Sequence, residues 1–386
     1  MRNSVTGKVL VVYGTRPEAI KVAPLIAALD RSECLEVITA VTGQHREMLD
    51  QVNQLFGIEP NHDMDLFSPG QSLNTLAARV IAGTDDLLDS IAPDAVVVQG
   101  DTTTVAMVAI ASFMRGIKVI HLEAGLRSHD ILSPFPEEAN RRLAGQVTSL
   151  HLAPTPQARD NLLREGFTVD DVVVTGNTVI DALLEAAEKP VEFADPKVAK
   201  AVASGQRLIL LTVHRRENLG APMARIADAL AILARSHPDV VVVFPAHRNP
   251  KMRETVFPVL EPLPNVVITE PLDYLQFVHL QKAAHLVLTD SGGVQEEAPS
   301  LGKPVLVLRE NTERPEAVTA GTARLIGTNT ERIVFEAHRL LEDELAYEEM
   351  AQATNPYGDG QAASRATAAI AELLGVGRRV PAFDPA

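Results

Sequence analysis

The feature that most restricts the fold is a short apolar run, largely β-branched, that recurs along the chain and ends each time in a polar turn ahead of a helical pattern. Val9–Tyr13 runs into Gly14-Thr-Arg-Pro-Glu-Ala-Ile-Lys21, then into apolar positions at helical spacing through Leu29. The same device returns at Glu36–Val41, Asp94–Gln99, Lys118–Leu122, His151–Pro154 and Val172–Thr175. After a loose polar stretch, Glu188–Gln206, it restarts with Leu208–Val213, Val240–Phe244, Asn265–Ile268, His285–Thr289 and Pro304–Leu308. Strands that are apolar on both faces belong to parallel sheets covered by helices on both sides. The expected fold is therefore α/β, with two doubly wound Rossmann-like domains and a cleft between them. Ligands of such sheets bind beyond the carboxyl ends of the strands.

A chain of 386 residues is long for a single core. The expected division is residues 1–175 and 176–361, with the C-terminal segment 362–386 packing back on the first domain. Its helix spans Ala362–Leu374, and the Pro-containing residues after Val376 are expected to fray. A formal net charge of −15 argues against nucleic-acid binding, which calls for a basic surface. An acidic protein that takes an anionic ligand must gather Arg, Lys and His locally. A single cysteine, Cys34, suits a reducing compartment. The apolar runs are too short to span a membrane, and Met1-Arg-Asn-Ser4 leads straight to a strand, so a cytoplasmic location is expected.

The strand ends hold the chemistry. Glu123 directly follows the strand Lys118–Leu122, Asp101 follows Asp94–Gln99, and Pro136-Glu137-Glu138 opens the next helix. For Glu137 and Glu138 alone, compensation of the helix dipole is the simpler explanation. A third carboxylate at the end of the preceding strand favours proton chemistry. Gly14-Thr-Arg-Pro-Glu is not a G-x-G-x-x-G fingerprint. With Arg16 and Lys21 beside a helix start it suits a phosphate, or is a tight turn with surface basic residues. Asp290-Ser291-Gly292-Gly293 repeats the device, with Glu297 placed to accept from ribose hydroxyls; its alternative is a plain glycine turn. His214-Arg215-Arg216 and His247-Arg248 supply the local positive charge. With neither a Cys cluster nor an H-x-x-x-H spacing, no catalytic metal is expected.

Taken in order, these segments resemble the bacterial non-hydrolysing UDP-N-acetylglucosamine 2-epimerases over nearly the whole length. The match rests on Gly14–Lys21, Gln44–Leu49, Gly100–Thr104, His121–Arg127, Pro136–Arg141, Thr175–Asp181, His214–Glu217, Thr289–Gly293 and Thr312–Glu316. The resemblance implies a glycosyltransferase-B type fold and reversible conversion of UDP-GlcNAc to UDP-ManNAc, in a homodimer and without NAD or metal. It implies elimination of UDP to 2-acetamidoglucal and re-addition with inversion at carbon 2. Asp101, Glu123 and Glu137 match the family's three catalytic acids, and His214 its histidine near the diphosphate. Arg16, Lys21, Ser291, Gly292 and Glu297 match substrate contacts. Gln44, Gln71, Glu138, Arg215 and His247 resemble a regulatory site for a second UDP-GlcNAc. Two positions depart from that pattern: Gly70-Gln71 stands in place of an Arg-Gln pair, and Glu47 in place of a Gln.

Three other functions are compatible with parts of the pattern. A 2-epimerase of a modified nucleotide sugar, such as a 2,3-diacetamido uronic acid, would use the same motifs. A UDP-sugar glycosyltransferase would share the second nucleotide site but has no need of three acids. A non-turning-over sensor would gain only repulsion from carboxylates around an anionic ligand.

Overall fold

The computed structural model describes residues 6–43, 46–68 and 70–385. It divides into two compact units, residues up to Ala182 with Tyr357–Pro385, and Leu183–Pro356.

The first unit opens with β1 (Gly7–Tyr13), α1 (Arg16–Asp30), β2 (Leu35–Val41), α2 (Arg46–Phe56) and β3 (His62–Asp63). It continues through α3 (Leu73–Ile91), β4 (Ala95–Gln99), α4 (Thr103–Met114), β5 (Lys118–Leu122) and α5 (Glu137–Gln146). β6 (Leu150–Ala153), α6 (Pro156–Arg164), β7 (Val172–Val174) and the start of α7 (Thr178–Glu188) follow. The sheet is parallel throughout, in the order β3-β2-β1-β4-β5-β6-β7. Every residue of β4 is buried, the apolar run Ala95–Val98 together with Gln99 at its end.

The second unit contains α8 (Pro196–Ala203), β8 (Arg207–Thr212), α9 (Ala221–Ser236), β9 (Val240–Pro245), α10 (Pro250–Leu260) and β10 (Val266–Thr269). Then come α11 (Tyr274–Ala283), β11 (Leu286–Thr289), α12 (Gly292–Glu297), β12 (Val305–Val307), α13 (Pro315–Thr319) and β13 (Ala323–Leu325). α14 (Thr330–Glu342) and α15 (Glu344–Ala351) close the unit. Its parallel sheet runs β10-β9-β8-β11-β12-β13.

Both sheets reverse their strand order once, between β1 and β4 in the first unit and between β8 and β11 in the second. Such switch points open a crevice at the carboxyl ends of the strands.

Three sequence expectations need correction. The stretch Glu188–Gln206 is not loose throughout: α8 forms there, capped by the Asp195 carboxylate on the Lys197 amide. α16 (Ala362–Leu373) packs on α1, but the residues beyond it do not fray. The Phe383 amide donates to Val174 O at 2.8 Å, extending past the last strand, and the Phe383 ring is buried beneath the Arg365 guanidinium. The start of α7 belongs with the first unit, because the Asp181 carboxylate accepts from the Ala362 and Ala363 amides at the head of α16. No helix among the described residues is long and apolar enough to cross a membrane.

Candidate active site

In the first unit the candidate residues follow β1, β4 and β5 or open α5. Gly14 follows β1, where a Cβ would lie 2.1 Å from Thr42 Oγ1, so the glycine makes room for the threonine just beyond the neighbouring strand β2. The head of α1 is a capping box in which Thr15 Oγ1 accepts from the Glu18 amide. Glu18 Oε2 in turn accepts from the Gly14 and Thr15 amides at 2.6 and 3.0 Å. Thr102, next to Asp101, donates to the other Glu18 oxygen at 2.7 Å. Burial pushes the Glu18 carboxyl above its ordinary range, while these donors work the other way. Glu18 thus ties the turn after β1 to the turn after β4. Arg16 begins α1, half-buried, and Lys21 lies one turn further on.

The three acids have different surroundings. Asp101 Oδ2 accepts from Arg141 Nη2 at 2.5 Å, and its backbone carbonyl accepts from Asn140 Nδ2 at 2.9 Å. Glu123 is paired with Lys21 and accepts from Gln99 Nε2 at 3.1 Å. Its φ of 66° is rare for a residue with a side chain, a conformation that tends to be kept at functional positions. Glu137, at the head of α5, has a buried carboxylate oxygen, Oε2, with no hydrogen-bond partner among the described residues. An unpaired buried acceptor is costly.

Glu138 points elsewhere than its neighbour. It is fully buried and accepts from the Ser128 amide, Arg141 Nη1 and Arg142 Nε at 3.1, 3.0 and 3.2 Å. Arg141 therefore bridges Glu138 and Asp101. Gln71 sits ahead of α3, where it accepts from Arg79 Nη1 at 3.2 Å. Gln44 lies outside the described residues, as does the side chain of Glu47.

Beneath the Asp101 turn, His121 and His151 face one another across β5 and β6, both essentially inaccessible. His121 Nε2 contacts Gly100 O at 2.7 Å, which makes Nε2 the protonated nitrogen of a neutral ring. Burial lowers His121 to about 4 and His151 to about 3.

The second unit repeats the arrangement with basic residues. Asp290, at the end of β11, is fully buried. Its carboxylate accepts from the His214 amide at 3.0 and 3.1 Å, the Arg215 amide at 2.9 Å and Asn218 Nδ2 at 2.9 Å. It also meets His214 Nδ1 at 3.1 Å. Burial opposes ionisation of Asp290, but the His214 hydrogen bond and these amides outweigh it and hold the carboxyl below its usual range. A carboxylate on Nδ1 fixes the tautomer and leaves Nε2 of His214 for a ligand. The His247 ring lies 6.3 Å from that of His214. Ser291 precedes α12, and Gly292 opens it with the Arg215 and Arg314 guanidinium groups each 3.7 Å from where its Cβ would stand. Glu297 is buried at the other end of α12 and accepts from Gln281 Nε2 at 3.1 Å.

A sequence model described as UDP-N-acetylglucosamine 2-epimerase matches residues 27–371. The chain belongs to the UDP-N-acetylglucosamine 2-epimerase family. Among its relatives, a UDP-N-acetylglucosamine 2-epimerase of Escherichia coli K12 is 50% identical over 370 residues, 94% of this chain and 98% of the relative. One from Yersinia pestis is 50% identical over 368 residues, with the same coverage of 94% and 98%. The crystal structure of the Neisseria meningitidis UDP-GlcNAc 2-epimerase bound to UDP-GlcNAc superposes with a TM-score of 0.83. That enzyme is 45% identical, over 95% of this chain and 99% of the other.

Sequence reasoning missed three positioning residues: Glu18, Arg141 and Asp290, the last read there only as part of a glycine turn. Arg141 had a signal in its i,i+3 spacing from Glu138. Asp290 had none, since its partnership with His214 depends on β8 and β11 being neighbours.

Proposed function

We propose that this chain interconverts UDP-GlcNAc and UDP-ManNAc by eliminating UDP and adding it back. The proton on carbon 2 of the sugar is not acidic, because no adjacent carbonyl accepts charge. Breaking the anomeric C–O bond first leaves an oxocarbenium-like centre whose electron pair has gone to UDP. Loss of the carbon 2 proton to a carboxylate then forms 2-acetamidoglucal. Return of UDP to carbon 1, with a proton delivered to the opposite face of carbon 2, completes the inversion. Two faces need more than one acid–base group.

The observation that supports this best is the set of three carboxylates in three different settings: Asp101 on Arg141, Glu123 on Lys21 and Gln99, and Glu137 with an unpartnered oxygen. Differently held acids can occupy different protonation states in one turnover. The first unit would carry this chemistry. In the second, His214, Ser291 and Gly292 would take the diphosphate, and Glu297 the ribose. Nε2 of His214, its tautomer set by Asp290, would stabilise or protonate the departing UDP, help typically worth a few kcal/mol. Arg16 and Lys21 are assigned to the sugar-nucleotide in the same reading. The proposal extends to a cytoplasmic homodimer. The same reading includes a regulatory second UDP-GlcNAc at Gln44, Gln71, Glu138, Arg215 and His247, where Glu138 already accepts from Ser128, Arg141 and Arg142.

Incubation with UDP-GlcNAc in deuterated water tests the mechanism, with NMR reporting carbon 2. Deuterium should enter carbon 2 of the product, and Asp101→Asn, Glu123→Gln and Glu137→Gln should each slow its entry strongly without unfolding the chain. Product with no deuterium, or near-normal turnover in all three variants, overturns it.

A further inference from the structure

Away from the candidate active site, the second unit gathers His237, His338 and Glu342 so that one ligand atom from each falls within a single small sphere. His237 Nε2 and His338 Nδ1 are 2.7 Å apart. The Glu342 carboxylate oxygen lies 3.9 Å from the first and 3.7 Å from the second. A tetrahedral ion bonded at about 2.0–2.1 Å to nitrogen and oxygen has ligand atoms about 3.3 Å apart. The observed triangle straddles that value. Slight parting of the two rings and an inward turn of Glu342 would complete it.

The backbone also prepares the place for a cation. His237 is the residue after the last turn of α9, and Glu342 is the last residue of α14. The two helices pack together, so the negative ends of both dipoles meet here. His338 and Glu342 share one face of α14 at i,i+4 spacing, while His237 is buried and Glu342 reaches solvent, which gives an entry path. The other charged groups acting on His237 are Asp239 and Arg207. Arg207 is already engaged, donating to Asp239 at 2.6 Å and to the Leu341 carbonyl at 2.5 Å.

We propose that His237, His338 and Glu342 form a site for a divalent transition-metal ion of the Zn2+ type, joining the ends of α9 and α14 and taking no part in the sugar chemistry. Two imidazoles and one carboxylate suit Zn2+, Co2+ or Ni2+ better than Mg2+ or Ca2+, and water would fill the fourth position. On binding, both facing nitrogens present lone pairs and each ring keeps its proton on the far nitrogen. A search for paired histidines in sequence misses the site because its ligands come from two helices.

The test uses the full chain stripped with a chelator and titrated with Co2+, then Zn2+. One Co2+ per chain should give the visible absorption of a low-coordinate ion, bleached by Zn2+, and Zn2+ should raise the unfolding midpoint by about 3 °C. His338→Ala and Glu342→Gln, both at solvent-reaching positions, should each weaken binding at least about tenfold and abolish the shift. Epimerase turnover should be the same in both variants as in the parent. Absence of binding below about 1 mM metal, or binding unchanged by both substitutions, overturns the proposal and leaves a plain imidazole–imidazole hydrogen bond.

Discussion

The paired histidines beneath the Asp101 turn should make the first unit sensitive to mild acid. His121 and His151 titrate near 4 and 3 in the folded chain, against an ordinary value of 6.5. Their folded values are depressed, so the unfolded state binds protons first as pH falls. The stability they contribute is complete above 6.5 and drains away as pH drops towards their folded values. At pH 5 each ring costs about 2 kcal/mol relative to pH 7.5, or about 4 kcal/mol for the pair. Asp181 pulls the other way. Burial raises it to about 6, so its contribution is present at low pH and is lost as pH rises through 6. The parent's pH profile therefore mixes opposing effects, and a variant must separate them. His151→Leu is suitable: both ring nitrogens of His151 lack hydrogen-bond partners among the described residues, so the change strands no polar group. Hydrogen exchange of the β5 and β6 amides, corrected for intrinsic rates, reports the opening free energy of this unit directly. Between pH 7.5 and 5 the variant should lose about 2 kcal/mol less than the parent. Parallel profiles for the two proteins would refute the claim that His151 is held neutral by burial.

Two further outcomes follow from the contacts around the candidate acids. Arg141→Met removes the charged donor to Asp101 and one of the donors to Glu138, and should lower kcat about 10- to 100-fold with little change in KM. Arg141→Lys should recover part of it; unchanged kcat in the Met variant would remove Arg141 from any positioning role. Gly14→Ala forces a methyl group against Thr42 Oγ1 and should cost about 1–3 kcal/mol by chemical denaturation, whereas adding Thr42→Ala should restore most of it. A Gly14→Ala protein that is stable but weak in substrate binding would give the glycine a ligand role instead.

Much of the fold was legible because β1, β4, β8, β9 and β11 are buried on both faces, and their centres are written almost wholly in Val, Leu and Ile. What escaped was written in other terms. β3 has two residues, His62 and Asp63, too few for a periodic signal. α8 is held by a cap and a few apolar positions within a polar stretch. The tail after Val376 is proline-containing and carries no periodic signal, and contacts made far away in sequence, with β7 and Arg365, hold Phe383.

The site divides in the same way. Residues that end strands were visible as candidates because the strands were visible, whereas the residues that hold them were not, since holding depends on strand order. Asp290 reaches His214 because β11 lies beside β8, and Glu18 reaches Thr102 because β4 lies beside β1. Both pairs stand where the sheets reverse their order, the one place where turns from non-consecutive strands meet. Glu138 carries this further. Beside Glu137 in sequence and equally acidic, it could be read as another acid for the ligand, yet it is wholly buried under Arg141 and Arg142. Its charge keeps Arg141 in place, and Arg141 faces Asp101. Adjacent glutamates at a helix start thus point to different tasks, one with an oxygen left unpartnered and one spent on fixing the arginine that pairs with Asp101.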